Sequence, residues 1–322
     1  MWKRLLRIPP DATSPSVRGF AVDSPARAEH LAEIGRTFLF GYHAALAAPR
    51  AEAPAALAAR LQAGTAPGRR GFAFEGAAMA LALLDYLSLS PGSSRAGRLG
   101  SFLEGPAWSH RYLVHVGVGW TLARVPRRLG PLLRRFEPSF RWLVVDGYGF
   151  HHGYFGWPRA VGRQAVPRRL RGYARSAFDQ GLGRSLWFVC GASPERIATT
   201  VAAFDEARRG DLWSGVGLAC AYAGGVGPEA VAQLGELAGG WLPDLAQGAA
   251  FAATARQAAD DPAPDTELAC RVLCGLDPAQ AAELTDRAGE RAAAAAGDAA
   301  TPLYERWRRQ TRRLLPPKGA VA

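Results

Sequence analysis

The sequence predicts an all-α fold, a single-domain helical-repeat array of stacked helix pairs of the tetratricopeptide-like kind, and three observations carry that expectation. A short cassette recurs seven times, each copy setting a glycine in the first turn of a run of small or apolar residues: Phe40-Gly41, Glu75-Gly76, Val116-Gly117, His152-Gly153, Gln180-Gly181, Ser214-Gly215 and Gln247-Gly248. The glycines are 35, 41, 36, 28, 34 and 33 residues apart, and a step of about 34 residues is one helix–turn–helix unit. Helix-start signals recur between the cassettes, and β-branched runs are scarce.

Taken in order, the first helix opens at Ser24-Pro25, serine as N-cap and proline in the first turn, and runs to Phe40-Gly41. Residues 47–70 and 88–101, rich in Pro, Gly, Ser and Arg, read as loops. The run Phe140 to Asp146 is the one strand-like stretch, readable as a buried helical or extended segment. Residues 156–167 read as irregular. Ser193-Pro194 opens a helix expected to run to Ser214-Gly215, with Asp211 as a further N-cap, and Gly227-Pro228 precedes Gln247-Gly248 in the same way. Asp277-Pro278 starts a late helix, and residues 290–300 form an alanine-rich linker. The basic amphipathic stretch Tyr304 to Gln310 is expected to cap the array, because solenoid ends need a polar outer face. The whole chain, 1–322, reads as one domain.

At 322 residues and 48% hydrophobic content the chain can bury one large continuous core. Its net charge of +11 is almost wholly arginine, since lysine occurs only at Lys3 and Lys318. Those arginines are dispersed rather than interleaved with aromatics along one stripe, which argues against nucleic acid as a partner. No run of about 18 apolar residues suggests a membrane span. The N-terminal stretch Met1 to Pro10 is too short for a signal-peptide core, so a soluble, cytoplasmic protein is expected. The four cysteines, Cys190, Cys220, Cys270 and Cys274, lack paired zinc spacing and read as buried thiols, so no metal site is expected.

The repeat would place the residue before each glycine on one shared surface, and five of the seven are polar or ionisable: Glu75, His152, Gln180, Ser214 and Gln247. The densest polar-aromatic cluster runs from Asp146 to Trp157. Asp146, His151 and His152 offer proton-transfer groups, while Tyr148, Tyr154 and Trp157 offer the walls that a flat unsaturated ligand needs. A second cluster carries Asp179, Gln180 and Arg184, and a buried Arg184 requires a carboxylate partner, with Asp179 or Glu75 available. Trp213 and Ser214 complete a third. Phosphate-binding glycine loops, a nucleophile elbow and an HExxH pair are absent, and the cofactor, if any, is unknown.

The blocks Arg18-Gly19-Phe20, Phe38 to Tyr42, Arg70 to Met79, His115 to Trp120, Asp146 to His151, Gly181 to Phe188 and Asp211 to Gly215 resemble those of the UnbL family, an uncharacterised family known from enediyne biosynthetic gene clusters. The resemblance spans roughly residues 15–260 and leaves 261–322, the C-terminal helices, unmatched. It implies a role in maturing an enediyne or related polyketide, beside an iterative polyketide synthase and an UnbV-type partner, and it implies no mechanism. Two functions are therefore expected. One is an enzyme, or enzyme component, acting on a polyene or polyyne intermediate. Asp146, Glu75 and a proton-transferring His151 or His152 would serve there, and Arg184 would bind developing negative charge. The other is a non-catalytic module that binds a pathway partner or sequesters a reactive product. Binding of an acidic polyketide synthase carrier domain through the arginines fits either.

Overall fold

The computed structural model describes residues 5–88, 97–125, 129–295 and 301–317. The first residues Met1 to Arg4, Arg127-Arg128, Lys318 and the alanine-rich stretch from 296 to 300 lie outside them. Eight long helices form the repeat: α1 Pro25–Ala47, α2 Arg70–Leu87, α3 Arg111–Arg124, α4 Arg141–Phe155, α5 Tyr173–Val189, α6 Glu206–Ala223, α7 Leu242–Ala259 and α8 Pro278–Ala294. A ninth, α9 Leu303–Leu314, follows. Shorter helices, including Pro54–Ala63, Pro194–Ala202 and Pro228–Ala238, sit in the crossovers. The protein is a helical repeat array, as its periodicity predicts, and no strand occurs among the described residues.

Each long helix packs on the next in chain order. Neighbours run in the same direction: Ser214 meets Gln247 near the middle of α6 and α7, and the Tyr222 carbonyl meets Arg256 near their ends. The glycines explain this stacking, though they lie in mid-helix rather than in the first turn. A Cβ on Gly117 would overlap the Glu75 carbonyl oxygen, one on Gly181 that of Asp146, one on Gly215 that of Gln180 and one on Gly248 that of Ser214. Only a residue without a side chain permits so close a backbone approach. In α4 the equivalent position is Gly147, which faces Val116, so the fourth copy is Asp146-Gly147 and not His152-Gly153. A second glycine two residues later, at Gly119, Gly149, Gly183 and Gly217, faces the following helix instead. Each helix from α3 to α6 thus carries one glycine for each neighbour.

Several local expectations change. Phe140 to Asp146 belongs to α4 and its lead-in, because burial among α3 and α5 satisfies its apolar run without a sheet. The loop expected over 47–70 contains the helix Pro54–Ala63, and Gly97–Leu103 is helical within 88–101. The helix opened by Ser193, whose hydroxyl accepts from Arg196 N–H, stops at Ala202, and Asp205 recaps the chain as α6 begins. Asp211 is inside α6 and not an N-cap. The helix after Gly227-Pro228 likewise ends at Ala238. Asp277 and Gln280 form a reciprocal capping box at the start of α8.

The array curls until its beginning meets its later repeats. Arg27, in the first turn of α1, donates to the Gly191 carbonyl at 3.1 Å, and the His30 ring donates to the Ala223 carbonyl at 2.7 Å. Gly68 N–H donates to Asp261 just past α7 at 2.7 Å. The α9 helix closes the other end, burying Tyr304 and Trp307 together with Arg308. The Trp307 indole donates to the Thr285 carbonyl at 2.7 Å and packs on Phe251. No helix among the described residues is long and apolar enough to cross a membrane.

Candidate functional site

A helix crossing made by glycine leaves the preceding side chain inside the stack. Glu75, Asp146, Gln180, Ser214 and Gln247 are accordingly all buried, where an unpaired polar group costs about 1–3 kcal/mol. They hydrogen-bond across the stack, although Asp146 Oδ2 and Gln247 Nε2 keep no partner within the protein. The Trp120 indole N–H donates to Glu75 Oε1 at 3.0 Å, and Arg184 donates to Asp146 Oδ1 at 2.5 Å. Gln180 donates to the Tyr304 hydroxyl at 2.9 Å, and Ser214 donates to Gln247 Oε1 at 2.9 Å. Arg308 completes the series, donating to the same Gln247 oxygen at 3.1 Å and to Asp211 at 2.6 Å.

The first part of this polar line borders an enclosed cavity of about 30 Å³, room for one or two water molecules. Glu75 and Arg184 face it, among the rings of Phe38, Trp120, Phe150, Tyr154 and Tyr222 contributed by α1, α2, α3, α4, α5 and α6. The hydroxyls of Thr13 and Tyr222, both on the cavity wall, are buried without a hydrogen-bond partner within the protein. Burial pushes the Glu75 carboxyl up to about 7, against the opposing pull of Arg184 and the Trp120 hydrogen bond. Burial also raises Asp146 despite its arginine. Burial disfavours the Arg184 charge, yet Asp146 and Glu75 together hold that guanidinium above its ordinary value. The combination is a carboxyl poised near neutrality beside a permanent cation in an apolar enclosure, which equips it to move a proton.

The candidate residues divide accordingly. Glu75, Tyr154 and Arg184 line the cavity, and Asp146 reaches it through Arg184; the arginine's partner is Asp146, not Asp179 or Glu75. Asp179 instead holds Arg208 with two hydrogen bonds of 2.6 and 2.8 Å. His151 packs between Trp120 and Phe155, and burial lowers it to about 3. His152 stands edge-on to Tyr148, lowered to about 4 by burial and by Arg169 and Arg159. Both rings are neutral at pH 7, and neither borders the cavity. Tyr148 lies under the Arg169 guanidinium, and Trp157 donates to the Arg18 carbonyl at 3.0 Å, away from the cavity. Gln180 and Ser214 belong to the polar line, and Trp213 is buried in α6.

Sequence reasoning missed Trp120, Tyr222, Tyr304 and Arg308. Trp120 sits three residues past its repeat glycine, as Phe150 and Arg184 do, so the register that exposes Glu75 also points to the opposite wall. Arg308 had no such signal, being one arginine in a basic tail. The cysteines are all buried and free. Among the described residues no cluster of His, Cys, Asp or Glu could hold a metal ion.

Comparison with known families matches residues 1–315 to a family described as a protein of unknown function, DUF1702. The match reaches through the C-terminal helices, and it carries no link to enediyne biosynthesis or to UnbL. No curated protein and no solved structure matches.

Proposed function

The chain belongs to the DUF1702 family, and from that premise we propose that it takes an apolar, unsaturated small molecule into its interior and exchanges a proton with it through Glu75. The observation that carries this reading is the placement of a carboxyl near pKa 7 on an aromatic cavity that Arg184 also lines. As a carboxylate, Glu75 takes a proton from an activated carbon; Arg184, held by Asp146, balances the charge that develops. Returning the proton to another carbon of a conjugated chain shifts a double bond and needs no oxidant. The unpartnered Thr13 and Tyr222 hydroxyls supply polar contacts for the ligand. A ligand larger than water requires this cavity to widen, since it now holds about 30 Å³. That the ligand is a polyene or polyketide-derived intermediate of enediyne-type biosynthesis, met together with an UnbV-type partner or a polyketide synthase carrier domain, rests on the resemblance of the blocks alone.

One observation favours the other reading, a non-catalytic module that binds a partner: the cavity is only about 30 Å³, too small to hold a product. Deleting the gene in its native host and complementing with wild type or Glu75→Gln separates the two. Under the proton-transfer reading the deletion accumulates a discrete intermediate by mass spectrometry, and Glu75→Gln fails to clear it. Full restoration by Glu75→Gln leaves only the binding module.

A further inference from the structure

The mechanism above leaves a second concavity unused. Where α2, α3 and α4 end, the segment from Leu5 to Ala12 leans over them and encloses a cleft of about 470 Å³, within the range of small-molecule sites, about 300–1,000 Å³. Its floor is apolar, with Met79 and Leu83 buried, and its rim exposes Leu5 and Leu87, two of the few large apolar side chains that face solvent. Three arginines line it, Arg7, Arg18 and Arg124, and no acidic residue does. None of the three forms an ion pair among the described residues.

The most deeply buried arginines of this protein, Arg184, Arg256 and Arg308, are each matched to a carboxylate. The other large cleft, about 490 Å³, has Arg50 and Arg98 beside Glu52 and Asp85. In the cleft at the helix ends, two guanidiniums converge on one ring: Arg18 lies 5.5 Å and Arg124 5.8 Å from the Phe155 centroid. Two cations gathered at one ring repel each other, and an anion shared by both would offset that repulsion. Arg18 Nε is in addition buried without a hydrogen-bond partner.

We propose that this cleft binds a single-chain amphiphile with an anionic head, the head held by Arg7, Arg18 and Arg124 and the chain laid over Met79 and Leu83. Concavity favours one chain over a bilayer, since a membrane surface would meet the rim leucines but leave the buried floor untouched. A carboxylate and a phosphate head share this chemistry.

The test is calorimetric titration of the full chain with decanoate, decyl phosphate and decyltrimethylammonium, each below its micelle concentration, and with anionic phosphatidylglycerol vesicles. One decanoate or decyl phosphate is expected per chain, the tighter of the two identifying the head, with no binding of the cationic analogue. Arg7→Gln and Arg124→Gln, both at exposed positions, are each expected to weaken binding about 10-fold while leaving the thermal midpoint unchanged. Met79→Ala would test the floor but also opens the core, so Leu87→Ser at the rim is the safer apolar variant, expected to weaken a longer chain more than a shorter one. The proposal is overturned if the cationic analogue binds equally well, if both arginine variants bind like wild type, or if vesicles bind where monomeric decanoate and decyl phosphate do not.

Discussion

The two halves of this array bury ionisable groups in opposite ways. From α1 to α4 the groups are held neutral. Glu75 sits near pKa 7, and His110, His115, His151 and His152 are pressed down to about 4, 4, 3 and 4, all mainly by burial. From α5 to α9 they are held as pairs: Arg208 with Asp179, Arg256 with Asp261, and Arg308 with Asp211 and Glu305. Arg184 with Asp146 straddles the junction. Neutral burial stores a response to pH, whereas paired burial locks elements that are distant in sequence, as Arg308 locks α9 onto α6 and α7. The candidate site lies on the neutral side, where a proton can still move, and borrows its one cation from the paired side.

The paired half should break hardest. Arg308→Met removes the partner of Asp211, Glu305 and Gln247 and is expected to cost about 3–5 kcal/mol in chemical denaturation. An Arg308→Met/Asp211→Asn double variant should recover part of that loss; if the single change costs under about 1 kcal/mol, α9 is not held by this pair.

The neutral half should show itself in pH rather than in magnitude at pH 7. The folded value of His115 is about 4 against an ordinary 6.5, so the native state binds fewer protons between those values. Its contribution is present above about pH 6.5 and falls away toward pH 4, by about 3 kcal/mol. Glu75 acts with the opposite sign. Raised from 4.5 to about 7, it holds a proton the unfolded chain has lost, and stability falls as pH rises across that window. Thermal melts from pH 4 to 8 should show His115→Gln flattening the acid limb and Glu75→Gln flattening the decline toward pH 7. Unchanged slopes would mean these groups are solvated in the native state.

The junction gives the smallest effect. A Cβ on Gly181 meets the Asp146 backbone oxygen, whereas one on Gly240 meets nothing. Gly181→Ala should cost about 1–3 kcal/mol by forcing α4 and α5 apart, and Gly240→Ala should be silent in the same melt.

How much of this was legible beforehand follows from the nature of each signal. The glycine spacing announced the array, because a close crossing demands a missing side chain at a fixed interval. Glu75, Gln180, Ser214 and Gln247 stood out for the same reason. The register failed at α4, where Gly147, Gly149 and Gly153 are all available and only the facing Val116 decides between them. His151 and His152 attracted attention by type, and burial removed the charge that made them attractive. Crossover helices such as Pro54–Ala63 were hidden by loop-like composition. Long-range partners such as Tyr304 for Gln180 had no local mark, since they depend on how far the array curls.

The alternating glycines give the chain the logic of a polymer. In α3, α4, α5 and α6 the first glycine faces back and the second faces forward, so every such helix has a head and a tail that fit any other. The helices flanking that run carry one coupling group each: α1 has Gly41 facing forward and Leu39 where the backward glycine would stand, α2 has Gly76 facing back and Ala78 in the forward place, and α7 has Gly248 facing back and Ala250 in the forward place. The chain reads as four two-sided monomers in a row, flanked by helices that couple through glycine on one side only.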